Sequence, residues 1–137
     1  MARNINEFPV YRKACEFAVA VTAILQKPGL RKDHKHRNQI SEALDSVQAN
    51  MEEGFEQGTD RAFAKYLSTS KGSVGELVGH LTRAQRKGYI TSADLKDLIP
   101  RAEELGRMLG GFIKYLHGCD WKDRGRHGYD GASRKDP

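Results

Sequence analysis

Glu76 and His80 stand four residues apart in this chain, and His34 and His36 flank Lys35. Carboxylates and imidazoles hold metal ions and move protons, so these positions are where chemistry would first be sought. A di-metal carboxylate centre in a helical protein needs Glu-x-x-His pairs projecting inward. None of the nine glutamates has a histidine three residues later, and Glu76–His80 is one position too long. That pair reads as a contact along a helix surface. His34 and His36 read as part of a solvated basic loop with no further ligand in view. Glu52/Glu53 and Glu103/Glu104 are adjacent, so their side chains diverge around a helix instead of converging on a substrate. Cys15 has apolar neighbours and reads as a buried thiol. No glycine-rich phosphate loop, nucleophile elbow or zinc-protease signature is present. The expectation is a protein that is not an enzyme and uses neither cofactor nor metal.

The remaining chemistry is electrostatic. Lys27, Arg31, Lys32, Lys35 and Arg37 form one basic stretch, and Arg83, Arg86 and Lys87 form another, with Asp33 the one acid among them. Net charge is +5 and the isoelectric point near 9.3, which suits an acidic partner such as RNA or DNA. Tyr89 is the one aromatic residue beside these stretches. Contacts to the phosphate backbone with little sequence preference are therefore expected. The alternative is a protein–protein adaptor whose basic cluster serves solubility.

Whether the two basic stretches meet depends on the elements that carry them. Four helical segments can be read, and no strand. The first covers 9–26, with Tyr11, Ala14, Phe17, Val21 and Ile24 recurring every three or four residues. Lys27-Pro28-Gly29 ends it, and the polar segment "LRKDHKHRN" reads as a loop. The second covers 38–55 on a stripe of Ile40, Leu44, Val47, Met51 and Phe55. Thr59 or Asp60 caps a third that runs to about residue 87, where Gly88 stops it. Ser92 is the expected cap of a fourth reaching residue 116, with Pro100 expected to kink or break it. Short links between long helices predict an all-α, antiparallel up-down-up-down four-helix bundle over 1–117. In that topology the two basic stretches share one end, and Glu52, Glu53, Glu56 and Asp60 gather at the other. Residues 118–137, rich in glycine and charge, read as a flexible tail.

Two widely separated cysteines, Cys15 and Cys119, argue against a disulfide framework and suit the cytoplasm. The longest apolar run, "FAVAVTAIL", is too short to span a bilayer. Glu7 and Glu16 precede it, which does not suit a secretory signal. Glycines at 72, 75 and 79, and again at 106 and 110, recur on one face of the third and fourth helices, which fits either close backbone approach or, at any one of them, a tolerated surface glycine. Asn50 and Glu53 flank the second helix's apolar stripe beside Gly54. They are expected to be half-buried and hydrogen-bonded, tying that helix to another helix or to a neighbouring subunit.

The segments "ANMEEGF" (49–55), "FAKYLSTSKGSVGEL" (63–77), "GYI" (88–90) and "GRMLGGFIKYL" (106–116), in this order and spacing, resemble a known family. It is that of the small helical-bundle proteins encoded in bacterial 23S rRNA intervening sequences, and the resemblance covers roughly residues 8–117. Tyr11, where the family often has tryptophan, the basic first loop, Thr69-Ser70 and Pro100 depart from its pattern. The resemblance implies a four-helix bundle assembled into a ring, commonly a homopentamer. A related branch comprises accessory proteins of diversity-generating retroelements, which implies a reverse transcriptase and nucleic acid as possible partners.

Overall fold

The computed structural model describes residues 4–118, and among these it is all helix, with no strand. A single 3-10 turn, Ile5–Glu7, leads into α1 (Pro9–Ile24). α2 (Pro28–Lys32), α3 (His34–Glu56), α4 (Asp60–Arg86) and α5 (Ser92–His117) follow. The expected tail lies outside the described residues beyond Gly118, as does Cys119.

The segment read as a loop after the first helix is helical instead. Pro28, with its fixed φ and missing amide, starts α2 at a first-turn position. Asp33 then accepts the amide of His36 at 3.1 Å and caps α3. α3 therefore begins four residues before the expected start, and His34–His36 form its first turn. At the start of α5 the cap is Thr91, not Ser92. Thr91 Oγ1 accepts the Asp94 amide at 3.0 Å while Asp94 Oδ2 accepts the Thr91 amide at 2.8 Å, a reciprocal capping box. Pro100 does not break α5. Leu98, Ala102, Leu105, Leu109 and Phe112 are all buried, and that burial holds the helix continuous through the proline.

α3 and α4 make the most extensive helix contact, α4 and α5 the next, and α1 lies against both α3 and α5. Small and hydroxylated residues line the α3–α4 seam. Ser70 Oγ donates to the Val47 carbonyl at 2.6 Å, and the hydroxyls of Ser46 and Ser73 meet at 2.7 Å. Gly54 is the residue that close approach demands: a Cβ there would lie 2.7 Å from Tyr66 Cβ and 2.9 Å from Phe63 Cδ1. Beside it Phe8, Phe55, Phe63 and Phe112 form a cluster of mostly edge-to-face contacts, with Phe63–Phe112 centroids 5.2 Å apart and the Phe8–Phe112 pair tilted. The other helical glycines are different. Gly72, Gly75 and Gly106 have open space where a Cβ would stand, and Gly79 and Gly110 meet only the ends of Arg83 and Lys71. Close approach within the chain does not explain them.

The two kinds of glycine predict opposite outcomes. Gly54→Ala should destabilise the fold by about 1–3 kcal/mol, because Phe63 and Tyr66 must shift to admit the methyl group. Gly75→Ala should stabilise it by up to about 1 kcal/mol through helix propensity alone. Urea denaturation followed by circular dichroism measures both, and equal effects would show the glycines to be equivalent.

Candidate nucleic-acid interface

The two basic stretches occupy one end of the helix assembly, joined by contacts between their links. Asp33, between α2 and α3, accepts from the Tyr89 hydroxyl at 2.8 Å and from Lys87 Nζ at 3.3 Å. Lys87 also donates to His36 Nδ1 at 3.2 Å, and His36 Nε2 donates to the His80 carbonyl at 2.8 Å. The carbonyl can only accept and the ammonium can only donate, so the partners assign His36 the Nε2–H tautomer. His36 is 2% exposed and sits between α3 and α4 as a spacer that is bonded at both ring nitrogens. The solvated-loop reading of His34–His36 fails for this residue. Its position four before Ile40 extends the α3 stripe backward by one turn, which is the signal that marks it.

The eight cations divide into two groups. Four are engaged internally. Lys27 pairs with Asp94 at 2.7 Å, Arg37 donates to the Leu25 carbonyl at 3.3 Å, and Arg83 donates to His80 Nδ1 at 2.6 Å. Lys87 is held by Asp33 and His36 as described. The other four, Arg31, Lys32, Lys35 and Arg86, are exposed and have no side-chain partner among the described residues. His80 turns to Arg83 rather than to Glu76, the partner that its spacing suggested. Burial first, then the charges of Arg83 and His36, lower its pKa against the opposing pull of Glu76.

At the other end, Asn50 is half-buried as expected. Its Nδ2 donates to the Ser46 carbonyl at 2.8 Å and to Ser46 Oγ at 3.0 Å, and so supports the Ser46–Ser73 contact with α4. Glu53 is not half-buried. It is exposed, one turn beyond Asn50, and the pair does not act as a unit. Glu52 takes the role instead, accepting the Tyr11 hydroxyl at 2.5 Å and joining α3 to α1. Burial, then that bond, raise the Tyr11 pKa. Cys15, half-buried instead of buried, accepts from Gln48 Nε2 at 3.4 Å.

The Asp33 hub makes a pH prediction. The His36 amide, then the Tyr89 hydroxyl, lower its pKa to about 2, against a weaker opposing effect of burial and with further help from Lys87. A carboxylate depressed in the folded state binds fewer protons there than in the unfolded chain. Its contribution is therefore complete above about pH 4, the ordinary carboxylate range, and is lost as pH falls toward 2. Melting temperature should drop across that window. Asp33→Asn should be less stable at neutral pH and should show a shallower acid limb. An acid limb identical to that of the wild type would show that the hub does not act this way.

No helix among the described residues is long and apolar enough to cross a membrane. No curated protein matches the chain. Residues 6–111, which carry all of α1–α4 and most of α5, match the family model described as 23S rRNA-intervening sequence protein, and the chain belongs to that family.

Proposed function

We propose that this protein is a non-catalytic, oligomeric member of its family that binds RNA or DNA through the phosphate backbone at its basic end. The observation that carries this reading is the division of the cations. Lys27, Arg37 and Lys87 brace the links, Arg83 bonds His80 within α4, and Arg31, Lys32, Lys35 and Arg86 stand exposed on that surface without a side-chain partner among the described residues. The ribosomal RNA in the family's description makes RNA the first ligand to test.

An antiparallel up-down-up-down course of the long helices favours the same reading, because it stacks both basic links at one end. Three contacts support it. Lys87 after α4 meets Asp33 before α3, Lys27 after α1 meets Asp94 at the start of α5, and Tyr11 early in α1 meets Glu52 late in α3. Assembly into a ring, a pentamer by the family resemblance, is supported by the open glycine positions of α4 and α5 and by Val19, 73% exposed on α1. In a ring with aligned subunits the basic ends would repeat on one face and meet phosphate multivalently. A reverse transcriptase is a further candidate partner.

Light scattering should give a mass several times the 15.4 kDa of one chain. Gel shifts at low salt should retain RNA or DNA. Binding should weaken with salt at a log–log slope of about −0.9 per phosphate neutralised on duplex. Replacing Arg31, Lys32, Lys35 and Arg86 together with Gln should weaken binding and flatten that slope, with an unchanged melting temperature. Lys27→Gln with Lys87→Gln should instead lower the melting temperature. A monomer at micromolar concentration would refute the assembly. No retention of RNA or DNA at low salt would leave the protein an adaptor.

A further inference from the structure

We infer that the basic end takes the phosphate backbone of a double helix in preference to an unstacked single strand, an inference that rests on the nucleic-acid reading above. Proteins that hold single strands without sequence preference combine cations with aromatic faces on which successive bases stack. Proteins that hold a duplex without reading its sequence need cations against phosphate, and no stacking platform. The aromatic groups at this end decide between the two.

Tyr89 faces inward. Its hydroxyl is bonded to Asp33, and its ring lies so close over Gly29 that a Cβ there would come within 2.4 Å of Tyr89 Cδ1. Lys87 Nζ stands 5.7 Å from the ring centroid, and the His36 ring meets it edge-on with centroids 6.0 Å apart. Receiving a base on the ring face against Gly29 would mean moving α2, which the tight fit there opposes, and the Asp33 bond fixes the ring in that half-buried position. His36 is buried and bonded at both nitrogens, and Arg83 occupies His80 Nδ1. His34 is the exposed imidazole of the group and offers a place for one base, where single-strand binders line up several.

The exposed cations favour a duplex on separate grounds. Arg31, Lys32 and Lys35 come from α2 and the first turn of α3, and Arg86 from the end of α4. Four charges set around rigid helix ends suit a stiff ligand. A duplex presents one phosphate per about 1.7 Å of axis, and each contact to it releases more counterion than a contact to a single strand.

The test uses fluorescence anisotropy of the full chain with an RNA duplex, a DNA duplex and oligouridine of equal phosphate count, each titrated with salt. The expected result is binding of at least one duplex several-fold tighter than oligouridine at every salt concentration, with the steeper slope on the duplex. Tyr89→Leu, which removes the aromatic face, should leave oligouridine affinity unchanged. Equal or tighter binding of oligouridine, or an oligouridine affinity that falls on Tyr89→Leu while duplex affinity does not, would overturn the inference and leave the nucleic-acid reading standing. Absence of binding to all three would overturn both.

Discussion

The Asp33 carboxylate accepts from the His36 amide, the Tyr89 hydroxyl and the Lys87 ammonium, and so joins the start of α3 to the link between α4 and α5. Each donor removes a different source of disorder. The amide bond ends α2 and begins α3, the phenol fixes Tyr89 over Gly29, and the ammonium brings the end of α4 against buried His36. A carboxylate with several donors remains ionised far into acid, so the arrangement keeps its charge at neutral pH. It also places a negative charge beneath a positive surface, which offsets the repulsion that gathering eight cations would otherwise create. The basic end can be dense because its centre is not basic.

The opposite end is built on another principle. There, roughly 30 Å along α3 at 1.5 Å per residue, four phenylalanines and the Gly54 contact close the assembly by apolar packing and shape. Between the two, the serine hydroxyls of the α3–α4 seam hold the helices in register by bonding a backbone carbonyl and each other. Their small volume also lets the helices approach closely. The segments that carry the family resemblance coincide with this seam. Gly54 lies in "ANMEEGF", and Ser70 and Ser73 lie in "FAKYLSTSKGSVGEL".

Features that depend on period or on local backbone chemistry were legible in the sequence. The stripes of Tyr11 to Ile24 and of Ile40 to Phe55 identified their helices, and Thr59 and Gly88 marked true boundaries. Polarity misled where a short helix had no apolar face long enough to show a period: α2 has Leu30 as its one buried side chain. Asp33 looked like a lone counter-charge because its partners lie more than fifty residues away at Lys87 and Tyr89. Glu53 and the glycines of α4 and α5 misled for a related reason. Helical spacing says which residues share a face, but not whether anything lies opposite it. In the site, the clustering of basic residues could be read from charge and topology. Their division into side chains with and without a partner could not, since it depends on which acceptor each one reaches.

The uneven distribution of contacts among the helices has a consequence for how the chain acquires its structure. α3, α4 and α5 join neighbours in sequence through links of a few residues, so bringing each pair together sacrifices little chain entropy, and such contacts are expected to form early. α1 meets α3 and α5 much less extensively than those helices meet α4. Its contact with α5 also spans most of the chain. The three later helices are thus expected to meet before α1 closes onto them, and α1 is the long helix held by the least extensive contacts. When it lifts, Tyr11 leaves Glu52 and Cys15 leaves Gln48 together. Alkylation of that half-buried thiol by a soluble reagent then quickens with the fraction of chains whose first helix has opened.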